Sequence, residues 1–149
     1  EPRCEVCPLA DCCVAYREGR VNEIPVRSPK KPRRIEEKTV FVLHDGNQYG
    51  IRKRKSTGLL ANMWEFYHIE GNLNPSDALQ YISEQGFQPI LLEKSIPYTH
   101  IFSHVEWRMT AYYIECKCKH SRLCWIEKEE LKEQYALPTA FKTFMEKEF

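Results

Sequence analysis

The sequence predicts an α+β domain, a mixed sheet flanked by helices. Three observations point there: short β-branched and aromatic runs on either side of a helix-forming segment, a long alternating stretch over residues 106–116, and two helical segments near the C-terminus. Taken in order, Thr39–His44 is a β-branched and aromatic run, then Asp45-Gly46, then Tyr49–Arg54. Asp-Gly tolerates the positive φ of a tight turn, so the three pieces read as a hairpin. Met63–Phe66 reads as a short strand after a loop. Asn74 or Ser76 caps a helix through Ala78, Leu79 and Ile82, with Pro75 in its first turn and Gly86 just past its end. Pro89–Glu93 is a further strand. In 106–116, Trp107, Met109, Ala111 and Tyr113 share one face, while Tyr112, Ile114 and Cys116 share the other. Both sets are apolar, which argues a strand packed on both sides. Cys124–Ile126 is short and strand-like, and Lys128–Tyr135 and Pro138–Lys147 are helical.

Ahead of this domain, assigned to residues 39–149, lie two other segments. Residues 1–18 are rich in cysteine, and residues 19–38 read as a connector holding Gly19, Pro25, Pro29 and Pro32. The 149 residues suit one domain plus a tail, and 42% hydrophobic content is enough for a core. The 22 basic and 21 acidic residues nearly cancel, but Arg27, Lys30, Lys31, Arg33 and Arg34 crowd into the connector and Arg52–Lys55 form a second basic run. Such runs are either solvated surface or phosphate contacts. No apolar stretch reaches the roughly 20 residues of a membrane-spanning helix. The chain opens on Glu1-Pro2-Arg3-Cys4 with no basic-then-apolar leader, and its seven cysteines are clustered and odd in number. Clustering favours metal binding or idle thiols over a disulfide framework, hence a reducing, cytoplasmic compartment.

Cys4-x2-Cys7-x5-Cys13 presents three thiolates from one short segment, which suits zinc or an iron–sulfur cluster but does not complete a four-ligand site. Cys116, Cys118, His120 and Cys124 form a looser group. Were the strand to continue past Cys116, the first three would share a face, and zinc is conceivable there.

Five ordered segments carry a resemblance. Cys4-Glu5-Val6-Cys7-Pro8 through Cys13 resembles the end of the C-x6-C-x2-C-x5-C loop of endonuclease III and MutY-type glycosylases. Ile24-Pro25-Val26-Arg27 resembles the MutY connector, in its short bacterial form. Gly58-Leu59-Leu60-Ala61-Asn62-Met63-Trp64-Glu65-Phe66 is similar to their G-L-L-A-G-L-W-E-F-P stretch, and Ile101-Phe102-Ser103-His104 to their F-S-H segment. Leu137-Pro138-Thr139-Ala140-Phe141 is similar to the closing helix. Asn62-Met63 and Tyr67 depart from the common Gly-Leu and Pro, which touches local loop geometry.

The chain is thus identified as resembling the C-terminal domain of the MutY adenine DNA glycosylases. The resemblance implies a Nudix-like fold and recognition of 8-oxoguanine opposite misincorporated adenine. Catalysis is implied to lie in an N-terminal domain of the same polypeptide, so this chain is expected to cut nothing by itself. It further implies that Cys4, Cys7 and Cys13 are 4Fe–4S ligands in the full-length protein. Their missing partner would fall four residues before Glu1, so no intact cluster or other cofactor is expected here. Phe102, Ser103 and His104 become candidate lesion contacts, and Lys30, Lys31, Arg33 and Arg34 candidate contacts to the DNA backbone. The expected partners are double-stranded DNA with an 8-oxoG:A mispair and the catalytic domain, with no membrane and a monomeric chain.

The chemistry fits. Oxidation at C8 turns guanine N7 from an acceptor into an N–H donor, and a serine hydroxyl can accept from it while donating elsewhere. A Nudix-type pyrophosphohydrolase is the rival reading. It needs the glutamates of R-E-x-x-E-E one helical turn apart to hold a divalent metal, and of these only Glu84 remains in Ala78–Gly86. A protein-interaction module acting through the connector is the other alternative.

Overall fold

The structure, a computed structural model, describes residues 2–26, 31–117 and 119–146. The chain divides into two compact units, Glu1–Pro32 and Arg33–Phe149. The first holds two single 3₁₀ turns, Cys4–Val6 and Ala10–Cys12, and a one-turn helix α1, Val14–Arg17, with no buried residue in any of them.

The second unit is built on six strands: β1 Arg34–Asp45, β2 Gln48–Lys53, β3 Trp64–Glu70, β4 Pro89–Ile101, β5 Val105–Cys116 and β6 Cys124–Glu127. They form one sheet in the order β4-β5-β1-β3-β2-β6. The β1–β5 pair is parallel and the other pairs are antiparallel, so the sheet is mixed as expected. Three helices cover it: α2 Pro75–Glu84, α3 Lys128–Gln134 and α4 Thr139–Glu146.

Alternation in the central strands sorts the core into two clusters. Val40 and Val42 of β1 and Trp107, Met109, Ala111 and Tyr113 of β5 pack with Phe141, Phe144 and Met145 of α4. Phe41, Leu43, Tyr112, Ile114 and Cys116 pack with Ala78 and Ile82 of α2. The two faces of residues 106–116 are therefore the ones the sequence pattern assigns. Each fully buried large side chain here contributes about 1.5–3 kcal/mol relative to exposure. The hairpin and the helix cap form as expected, with the turn on Gly46-Asn47 rather than Asp45-Gly46 because Asp45 pairs with Gln48. Gly46 takes φ +56 at the first central position of the β1–β2 hairpin turn, where an L side chain is strained. Asn74 caps α2, its Oδ1 accepting from the Asp77 N–H at 2.9 Å.

Two strands run well beyond their expected bounds. β1 starts at Arg34, five residues before Thr39, because Arg34–Lys38 pair in parallel with Val105–Met109. β4 continues past Glu93 to Ile101 with two register shifts, pairing with β5 throughout. As an edge strand it tolerates Pro97, whose missing N–H costs no ladder bond on the open side. β5 stops at Cys116, so period-two placement of Cys118 and His120 does not arise, and Cys118 lies outside the described residues.

Candidate nucleic-acid interface

The β4–β5 hairpin closes through Phe102, Ser103 and His104. The Phe102 N–H donates to the Val105 carbonyl at 2.8 Å, and the Arg34 N–H donates to the His104 carbonyl at 3.2 Å. The turn is thus fixed by backbone bonds on both sides, leaving the Ser103 and His104 side chains uncommitted among the described residues. Ser103 and His104 are exposed, and the Ser103 hydroxyl has no hydrogen-bond partner among the described residues. Phe102 is half-buried, set edge-on between the rings of His100 (4.6 Å) and Trp107 (4.9 Å). This leaves a hydroxyl and an imidazole projecting from a turn that cannot easily tilt.

The same parallel pairing brings part of the basic connector to this turn. Arg34 is in register with Val105, and its exposed guanidinium donates to Glu36 at 2.9 Å. Arg33, exposed, immediately precedes it. Lys31 is exposed but belongs to the other unit, and Lys30 lies outside the described residues. Beneath the turn, Trp107 Nε1–H donates to Glu36 Oε2 at 2.9 Å, and the nearly buried Lys38 ammonium sits 3.1 Å from the same oxygen and 4.8 Å over the Trp107 ring. Burial alone would raise the Glu36 pKa. The hydrogen bonds from Lys38 and Arg34 outweigh it and hold the carboxyl below the usual carboxylate range.

A second polar assembly was not evident in the sequence. Antiparallel pairing sets Arg52 opposite Glu65. Glu65, 3% exposed, accepts from Arg52 Nε at 2.8 Å and from Arg54 Nη1. Arg54 Nε also donates to the Leu59 carbonyl at 3.1 Å. The two guanidiniums lie over aromatic rings, Arg52 over Tyr67 (4.7 Å) and Arg54 over Trp107 (5.8 Å). His68 sits 3.6 Å from Glu65, and burial pushes its pKa down to about 4 against the weaker pull of that carboxylate. The imidazole is therefore neutral near pH 7, with Nδ1 3.2 Å from the Phe66 carbonyl and so assigned as the N–H donor. The basic run and the Trp-Glu-Phe motif are each visible in the sequence; only strand register reveals that they converge.

The cysteines of the first unit lie in consecutive short turns, with Cys4 and Cys13 half-buried and Cys7 exposed. Among the described residues no three His, Cys, Asp or Glu side chains converge to hold a metal. Three thiolates do not complete a 4Fe–4S ligand set, so the residues present here do not by themselves make the site. In the second group, Cys116 is buried in the α2-side core, Cys124 is exposed on β6, and the His120 ring packs 5.0 Å from Phe87.

A sequence profile of the NUDIX domain matches residues 39–147. The chain belongs to the NUDIX domain family. It is also homologous to adenine DNA glycosylases: that of Schizosaccharomyces pombe is 28% identical over 163 residues, covering 75% of this chain and 35% of the relative. The chain spans about a third of the length of the curated relatives it matches. Among solved structures, the C-terminal domain of mouse MUTYH, determined in complex with human PCNA, superposes with a TM-score of 0.56 at 21% identity, covering 76% of this chain and 88% of that one. A MutT NUDIX hydrolase from Burkholderia pseudomallei gives 0.54 at 16% identity, covering 76% and 97%. At those identities the likeness speaks for the fold alone. The homology to the glycosylases supports a role in DNA repair.

Within this NUDIX domain, α2 carries two carboxylates, Asp77 and Glu84. Asp77 accepts from the Asn74 side-chain amide at 2.8 Å and Glu84 from Gln80 at 2.8 Å. The one-turn pairs of glutamates that a divalent metal would need are not in this helix.

Proposed function

We propose that the chain is the lesion-reading domain of an adenine DNA glycosylase, binding 8-oxoguanine opposite misincorporated adenine and cutting nothing by itself. The observation that carries this reading is the Ser103 hydroxyl: exposed, without a partner among the described residues, and held on a turn fixed by backbone bonds to Val105 and Arg34. A hydroxyl so placed can accept from the N7–H that only the oxidised base offers. His104 beside it donates to the lesion or a neighbouring phosphate, and Phe102 supports the turn or wedges against a base step. Arg33 and Arg34, next to the turn in the fold, meet backbone phosphates, with Lys30 and Lys31 extending that contact along the connector. Glycosidic bond cleavage belongs to a catalytic domain elsewhere in the same polypeptide, to which the flipped adenine is presented. Cys4, Cys7 and Cys13 are proposed as 4Fe–4S ligands in that longer protein, with the fourth ligand from outside this chain.

The test places Ser103→Ala and His104→Ala in the full-length enzyme and compares single-turnover rates on 8-oxoG:A and G:A duplexes. Ser103→Ala should lower the preference for the oxidised base about fivefold or more, the lower end of the roughly 1–3 kcal/mol that a good base contact discriminates. Equal losses on both substrates would overturn the recognition role.

A further inference from the structure

The corner where β2 leads into the β2–β3 loop holds a cavity of about 360 Å³ that the lesion-reading turn does not use. Glu65 and His68 line it from β3, and Arg52, Lys53, Arg54, Lys55 and Thr57 from β2 and the loop. Glu65 commits both carboxylate oxygens to the two arginines. Arg54 Nη2 and Arg52 Nη1 have no hydrogen-bond partner among the described residues, and neither exposed lysine has an ion-pair partner there. Four cationic side chains thus face one carboxylate, and the neutral His68 adds no charge. Apart from the His68 ring nitrogen and the Thr57 hydroxyl, which accepts as well as donates, the uncommitted side-chain groups are donors, and forked guanidiniums beside ammonium groups match the oxygens of a phosphate.

We propose that this corner is a second phosphate-binding site, one that grips a phosphodiester of the DNA backbone apart from the turn that meets the damaged base. Glu65 acts as a positioning residue: it fixes both guanidiniums before any ligand arrives, so less side-chain freedom is lost on binding. The exposed lysines at the rim leave the anion open to solvent, as suits a diester whose strand continues in both directions. Trp107 joins this site to the turn, since its ring neighbours both Arg54 (5.8 Å) and Phe102 (4.9 Å). The proposal takes its ligand from the DNA reading above, but the grip itself is indifferent to sequence and damage.

That indifference separates the two tests. Binding of the 149-residue chain to an undamaged duplex and to an 8-oxoG:A duplex is measured by fluorescence anisotropy at salt between about 50 and 200 mM. K53A/K55A should weaken both complexes by the same factor and reduce the slope of log affinity against log salt by about 1, the roughly 0.9 expected for one phosphate no longer neutralised. K53R/K55R should restore the slope. Ser103→Ala should leave the slope unchanged, so loss of lesion preference can fail while the phosphate site stands. Wild-type affinity and slope in K53A/K55A, with an unchanged melting temperature, would overturn the proposal, as would a parent chain that does not bind undamaged duplex at the low-salt end, about 50 mM. Inorganic pyrophosphate serves as the competing probe: if K53A/K55A loses pyrophosphate binding but keeps DNA binding, the site takes free phosphates and the proposal is wrong.

Discussion

The Phe102–His104 turn and the Arg52–Lys55 corner share one neighbour, the Trp107 ring, yet they are stabilised by opposite means. The turn is positioned by backbone hydrogen bonds and edge-to-face aromatic contacts, and its exposed side chains carry no structural duty. The corner is positioned by ionic side-chain contacts to a buried carboxylate, so the groups that would meet a ligand also hold the fold. A base reader built the first way can change its side chains at little cost in stability. A phosphate grip built the second way cannot, except at its exposed lysines.

The largest expected effect tests that contrast directly. Glu65→Gln leaves two arginines beside a neutral amide, and breaking a buried ion pair by removing one partner costs about 3–5 kcal/mol. Urea unfolding should show that loss, while the lesion preference measured on any folded fraction stays at the parent value. A parallel collapse of lesion preference would mean that the two regions form one site.

His68 gives the next effect. Its pKa falls from 6.5 to about 4 on folding because burial disfavours the imidazolium. Between those values the unfolded chain binds more protons, so stability is fully present above pH 6.5 and declines as the pH falls toward 4. The loss is at most about 3 kcal/mol, at roughly 1.36 kcal/mol per pKa unit. His68→Gln should flatten this part of the stability profile, as followed by thermal unfolding at about pH 4.5 and pH 7. An unchanged slope would place the titration elsewhere.

The smallest effect belongs to the connector. Arg34→Ala should reduce the salt slope by about 1 and weaken lesion and undamaged duplexes alike. Selective loss on the lesion duplex would instead make Arg34 part of the base reader.

What the sequence could reveal follows from where the information sits. β5 was readable because its residues face two cores, and burial on both sides leaves an apolar pattern at period two. The first five residues of β1 were not, since Arg34–Lys38 are mostly charged and owe their strand geometry to a neighbour some 70 residues on. The outer half of β4 was hidden similarly, its open face admitting Ser95, Pro97 and Thr99. Phe102–His104 could be found as a motif, but not the backbone bond that places Arg34 beside it. Glu65 was visible as a letter in a motif; its role in joining Arg52 and Arg54 is a property of register.

Because β1 enters the sheet alongside β5 and runs with it, the point where the connector joins the domain lies at the same end as Ser103. Whatever is tethered through Arg33 has an effective concentration near the turn set by the length of its leash. That concentration falls roughly as the −3/2 power of length once the leash exceeds the span it must bridge. Lengthening the connector therefore loosens the coupling between the tethered part and the turn without altering the packing of either.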